Sequence, residues 1–483
     1  MTDDAFINPE LELQMHQSNI ETGASYDAVQ LQQSIDRADG LLDSIQEDTE
    51  SIVALEAMAD FIRGKDVNKT TAILFNVATE GFGNLSSLKT PKVAFALESI
   101  QEESDKLPPE EIEMAMENVA QSAAQLIDRV SRNISNAMLT IGDIVHGFDK
   151  NLLNLKKRVA GLEAYLELIK DKEDVAYNYV KPESNYTYLM YTNKGFTGGI
   201  EPVLKDVNWL LTEHADMIGN SVNKYKRWFN ENRGDLTNRK IADTLEFKRD
   251  DFILPGSGIF SRSVENRVPA KGCAFYRGKE LPGGRSFYSE VRVQNQYGEE
   301  AIDAIMDVRY FMDYYEPDSF RVTEKYLYNA AALGILAWVS LMVANPLPIA
   351  MFGVSVGKVS DKTKVVDTKK ARITPETVFP TLGKEQLKDL LREVTVAISN
   401  LEKLNKSVYH EVWKDKSIQE AASNIVRQTK EAGYNPATVK LLKRYSIALI
   451  TLMGRSYTKV HSYSFHVLNA ALSYAEKSAN QYR

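Results

Sequence analysis

One cysteine in 483 residues, Cys273, excludes an intrachain disulfide, and a reducing compartment is expected. Histidine is also scarce, with six residues: His16, His146, His214, His410, His461 and His466. None belongs to a two-histidine, four-apart zinc pair, and His410-Glu411 lacks a histidine at the required spacing. No phosphate loop with Gly-Lys-Ser/Thr occurs, and Gly256-Ser257-Gly258 lacks the fuller pattern of a nucleophile elbow. Neighbouring acids such as Glu110-Glu111 and Glu299-Glu300 point apart on a helix and make no acid–base pair. The residues therefore suggest neither an enzyme nor a cofactor. Met1–Asp4 has no basic n-region and no apolar stretch, so no secretory signal is expected. Proline is absent between Pro109 and Pro182, and charge is absent from Tyr326 to Gly357.

Basic residues are nearly missing from the first 56 positions, which carry thirteen acids and a single Arg37. The whole chain sums to −8 and this segment holds −12, leaving +4 for residues 57–483. The other end is reversed. From Lys358 to Arg483 there are 22 Lys/Arg against 12 Asp/Glu, a net of +10. An acidic head and a basic tail invite either mutual attraction or a polyanionic partner for the tail.

Overall, 43 % hydrophobic and 26 % charged residues describe an ordinary globular chain, long enough for two or three domains. Within the head, Leu31, Ile35, Ala38, Leu42, Ile45, Thr49 and Ile52 alternate steps of four and three, the spacing of one helical seam. Asp36, Asp39, Asp43, Glu47 and Glu50 lie off the seam and are expected to face water. The seam fits either packing on its own protein or a coiled-coil contact with a scaffold. Pro108-Pro109-Glu110-Glu111 reads as a helix start. Beyond it, apolar residues from Val119 to Ile169 keep a three-or-four spacing. Unbroken, about 60 residues extend roughly 90 Å, which predicts a projecting rod or a bend near Gly142 or Gly147.

Around Asn185 the composition changes, and Tyr186–Thr192 reads as strand. Ile200–Asn232 returns to helix, with Trp209 and Trp228 as packing residues. Cys273–Tyr276 and Ser286–Val291 read as two strands joined by a turn at Leu281-Pro282-Gly283-Gly284, where fixed φ precedes free φ. The uncharged stretch 326–357 contains Leu327–Ala344, 18 residues at the lower limit of a bilayer span. It fits a buried core helix or a membrane-active segment. Lys384–Ser417, Ser417–Gly433 and Pro436–Gln481 read as antiparallel helices. The fold class expected is mainly α, with long helices, a helical bundle and a small β insertion. Its regions are an acidic segment 1–56, a long helical region 57–184, an α+β insertion 185–300 and a helical part 301–483.

In the tail, Lys364, Lys369, Lys370 and Arg372 cluster after the apolar stretch, and Lys440, Lys443 and Arg444 sit one turn apart. Tyr445, Tyr457, Tyr463, Tyr474 and Tyr482 interleave with Arg455 and Lys459. Such residues can make non-specific phosphate contacts with stacking, or form a solvated helical face.

The acidic segment, Ala-Leu-Glu followed by Ala57 or Ser99, the Leu281–Gly284 turn and the tail ending Tyr474-Ala475-Glu476-Lys477-Ser478 together resemble internal head proteins of large tailed bacteriophages. The resemblance implies a non-enzymatic virion structural protein made as a precursor. A prohead protease in such families cuts after a glutamate preceded two residues earlier by a small residue. That implies cleavage at Glu56-Ala57, with Glu98-Ser99 as second choice. It also implies capsid or scaffold partners, packaged DNA, and residence in the virion interior after assembly in the host cytoplasm. The competing expectation is a membrane-inserting helical protein, a pore-forming toxin or an ejected channel component.

Overall fold

A computed structural model describes residues 33–55 in part, 109–192, 196, 199–245, 248–260, 264, 268–269, 272–292, 308–315, 373, 377–406, 417–431 and 436–482. Leu31, Glu50, Glu56-Ala57, Glu98-Ser99, the 326–357 stretch and Lys364–Arg372 lie outside the described residues. Of the interpretable residues, 70 % are helical and 11 % are in strands, so the fold is mainly α.

Residues 33–45, 47–49, 51, 52 and 55 are helical and together are labelled α1. Helix α2, Pro109–Leu168, runs 60 residues without a break at Gly142 or Gly147. The residues that keep this spacing, Val119, Ala123, Leu126, Val130, Ile134, Met138, Ile141, Val145, Phe148, Leu152, Leu155, Val159, Leu162, Leu166 and Ile169, are all buried, none more than 8 % exposed. The helix is not a free rod: helices from both ends of the chain pack along it. Continuous burial of one stripe explains why two glycines do not break it, since each costs only about 1 kcal/mol in a helix.

Beyond α2 the chain forms β1 (Tyr179–Val180) and a short 3₁₀ helix, Ser184–Leu189. This replaces the strand expected over Tyr186–Thr192. Tyr186 is held edge-on against Phe379 and Tyr474, and Tyr188 stacks on His466, so tertiary aromatic contacts outweigh β propensity here. Helix α3 (Glu201–Asn232) places Pro202 at its start, and Trp209 and Trp228 pack half-buried on the core. A short α4 (Arg239–Asp243) follows.

Four antiparallel strands make the β insertion in the order β2 (Gly258–Phe260), β3 (Cys273–Arg277), β4 (Arg285–Arg292) and β5 (Arg309–Tyr314). The turn between β3 and β4 is the Leu-Pro-Gly-Gly sequence. Gly283 and Gly284 have φ of +80° and +59°, a region that side chains disfavour. Both glycine amides donate to the Met190 carbonyl, which ties the turn to the 3₁₀ helix. A separate pair joins β1 to β6 (Phe379–Pro380).

The C-terminal part comprises α5 (Lys384–Asn405), α6 (Ser417–Glu431), α7 (Pro436–Leu441), α8 (Ala448–Thr451) and α9 (Tyr457–Ala479). Two π-helical stretches, Leu442–Ile447 and Leu452–Ser456, link α7 to α8 and α8 to α9. Helix α5 packs on both α2 and α3, while α9 touches α2, α3, α5 and β5. Buried residues on α9 surround its axis, as expected of a helix at the centre of a bundle. Arg158 of α2 pins α9 from the side, donating to both carboxylate oxygens of Glu476 at 2.8 Å and to Asn469 and Ser473. Residues from α1 through α9 join one hydrophobic core. A second cluster of Phe260, Val264, Phe275, Tyr288 and Phe311 lies in the sheet.

Candidate functional site at the N-terminal helix

The seam of α1 is buried against the protein itself. Ile35, Ala38, Leu42, Ile45, Ile52 and Leu55 are at most 5 % exposed, and Thr49 is fully buried. Thr49 satisfies its hydroxyl within the helix by donating to the Ile45 carbonyl at 2.6 Å. Leu42 approaches Ile141 of α2 across Gly454 in the second π stretch. A Cβ at Gly454 would stand 2.9 Å from Ile141 Cδ1 and 3.5 Å from Leu42 Cδ1. Glycine there is what lets three helices meet. A π turn adds a residue within a helix and re-aims the side chains around it, and Arg455 follows Gly454 directly.

Three acids of α1, Asp39, Asp43 and Asp48, meet cations. Arg455, 8 % exposed, donates from Nη2 to Asp43 Oδ1 at 2.5 Å and to the Asp39 carbonyl at 3.1 Å. Its Nε lies 3.3 Å from Asp39 Oδ1, and Lys459 Nζ lies 3.7 Å from Asp39 Oδ2. Asp48, 3 % exposed, is gripped by Arg129 of α2: Nε donates to Oδ2 at 2.7 Å while Nη2 donates to Oδ1. Asn133 donates to Ser44 Oγ at 3.1 Å. Asp43, with a side chain 61 % exposed, faces water as expected while also pairing with Arg455, whereas Asp39 is half-buried against Arg455 and Lys459. Both lie at the edge of the seam, within reach of the tail. Glu47 and Asp36 are exposed as expected, and Asp36 also takes part in a polar or electrostatic contact.

Leu42 faces Ile141, Ser44 faces Asn133 and Asp48 faces Arg129, so α1 runs antiparallel to α2. Magnitudes divide the labour. Five large aliphatic side chains, each contributing about 1.5–3 kcal/mol on full burial, outweigh partly exposed ion pairs of about 0–1 kcal/mol each. The ions chiefly fix which cation meets which acid, and so set register.

Elsewhere the positive tail is similarly engaged. Lys430 pairs with Asp128 and Lys477 with Glu183, in both cases with an acid from the first half of the chain. Arg444 is 4 % exposed, with Nη1 directed to the Leu245 carbonyl at 3.5 Å. Lys440 lies in α7 and Lys443 in the first π stretch. Tyr445, Tyr457, Tyr463, Tyr474 and Tyr482 are all buried, so they build the core and do not form a stacking surface. The Arg129–Asp48 pair was not visible to sequence reasoning. The opposite charges of head and tail point instead to Arg455 and Lys459 with Asp39 and Asp43, because Arg129 lies on α2 and outside the basic tail.

Two buried histidines flank this region. His214 is fully buried, with Nε2 3.0 Å from Ser456 Oγ. Ser456 gives its own proton to the Leu452 carbonyl, so it accepts from His214 Nε2–H and fixes the neutral tautomer. His461 stacks on Phe148 with ring centroids 3.6 Å apart, and neither ring nitrogen has a partner among the described residues. Burial pushes both imidazoles down to about 3.

Cys273 is buried and forms no disulfide. Among the described residues, no three His, Cys, Asp or Glu side chains gather as a metal site, and no helix is long and apolar enough to cross a membrane. The clearest specialised feature among the described residues is the docked acidic helix. Residues 16–477 match the family model of phiKZ-like phage internal head proteins, and the chain belongs to that family. Membership implies a structural role inside the virion. No curated protein and no solved structure matches.

Proposed function

We propose that the chain is a non-enzymatic component of the phage head made as a precursor, with α1 as its pro-segment. The observation that carries this reading is the docking of an acidic helix on cations of the body, just ahead of a charge boundary at Glu56. Leu55, 1 % exposed, is adjacent to the proposed cut. A protease that needs an extended substrate acts here only when the end of α1 opens locally. Cleavage is thereby tied to a change of conformation during assembly, which agrees with a processing event coupled to head maturation.

The prohead protease and capsid or scaffold components are the partners in this reading, and packaged DNA is a non-specific one. Lys364, Lys369, Lys370, Arg372, Lys440 and Lys443 are the cations assigned to phosphate. Arg444 contributes least because it is interior. Release with the genome on ejection is part of the same proposal. Cleavage is tested by co-expressing the chain with the prohead protease. The wild type should be cut after Glu56, and Glu56→Ala should remain uncut there. Cutting of Glu56→Ala at an unchanged position would refute the assignment. DNA binding is tested by its salt dependence, with log affinity falling linearly with log salt. A salt-independent affinity would remove DNA from the reading.

A further inference from the structure

Among the described residues, the contacts that seat α1 come from Ile35 to Leu55, upstream of Glu56. Twenty residues of helix span about 30 Å, and polar contacts recur along that length at Asp39, Asp43, Ser44 and Asp48. The receiving surface comes from far away in the chain: Arg129, Asn133 and Ile141 on α2, then Gly454, Arg455 and Lys459 at the other end. The route from Leu55 back to α2 is long, with 53 residues separating it from Pro109.

Resting on the proposed cut after Glu56, we propose that cleavage does not remove α1. The 1–56 fragment stays seated in its groove as a separate peptide, and its departure is a second, distinct event. The groove is a binding site for an acidic amphipathic helix, and its occupant after the cut is this chain's own α1. The apolar floor rules out a simple exchange for DNA, which offers no apolar face to cover Ile141 and its neighbours. While the fragment stays, the complex keeps the full −8 of the intact chain. The body's +4 emerges, with Arg129, Arg455 and Lys459 uncovered, only when the fragment leaves. Cutting and charge reversal are therefore separate steps.

An artificial cut tests this independently of the natural protease. Residues 57–63 are replaced by the recognition sequence of an unrelated site-specific protease, and circular dichroism first confirms that the uncut variant keeps the wild-type helix content. The full-length variant is then cut and passed over a sizing column at about 0.15 M salt and again at about 1 M, where charge is screened within about 3 Å. Mass spectrometry identifies the fragments in each peak. Co-elution of the N-terminal fragment, residues 1–56 plus the residual recognition sequence, with the body at both salts is expected, with Leu42→Asp in the same background giving separate peaks. A fragment that elutes alone at either salt, or stays soluble while the body precipitates, would overturn the proposal. Failure here leaves natural cleavage after Glu56 untouched. Absence of natural cleavage leaves this result standing.

Discussion

Asp48→Ala removes one half of the most enclosed ion pair at the α1 site. Asp48 is 3 % exposed, and the Arg129 side chain, at 23 %, is partly open to water. Breaking a fully buried pair costs about 3–5 kcal/mol because the remaining charge is stranded. Partial exposure of Arg129 reduces that, so about 2–3 kcal/mol is expected. The loss should fall on α1 alone, since opening α1 restores water to Arg129 while the bundle stays folded. Divided by RT, about 0.59 kcal/mol, this is roughly a 30- to 150-fold rise in the opening constant. Amide hydrogen exchange reads it directly: protection in residues 33–52 should fall by that factor, with α9 unchanged. Arg129→Ala and the double variant complete a cycle, with a coupling above about 0.5 kcal/mol expected for groups in contact. Equal loss of protection in α1 and α9 would refute the idea of a separately opening helix. No loss at all would refute the energetic role of the pair.

Leu42→Asp places a carboxylate against Ile141 and should expose residues 33–52 to limited proteolysis, with the bundle's helix content retained by circular dichroism. His214 and His461, held near 3 when folded and near 6.5 when unfolded, take up protons on unfolding below about pH 6.5. Stability is therefore lost as pH falls from about 6.5 towards 3. Between pH 7 and pH 5 each histidine should cost about 2 kcal/mol, measured by urea denaturation, and His461→Phe should remove its share. An unchanged acid-side slope in that variant would show that His461 is not neutral inside the fold. Glu476→Ala, which strands Arg158 between α2 and α9, should cost about 2–4 kcal/mol globally. Retained protection across both helices would contradict its role as their pin.

Some of this was legible in the residues. Burial follows periodicity, so the seams of α1 and α2 could be read position by position, and the Leu-Pro-Gly-Gly turn announced itself through its demand for positive φ. What a seam packs against is another matter. The α1 pattern fits a scaffold or its own bundle equally well, and the choice depends on residues as distant as Gly454 and Ile141. The Tyr186–Leu189 segment has strand-like residues, yet its aromatic partners Phe379, Tyr474 and His466 come from the far end of the chain. The tail tyrosines fit a stacking surface or a solvated helical face, because spacing alone does not reveal that α9 is enclosed on nearly every side. The two π stretches have no sequence signature that periodicity detects. Opposite charge at the two termini hinted that head and tail attract, but not which acid meets which cation.

Mass spectrometry of the chain from purified phage particles addresses the pro-segment most directly. An N-terminus at Ala57 on the mature body is predicted. An intact Met1 terminus on every copy would contradict the assignment of α1 as a pro-segment, however well the helix is seated.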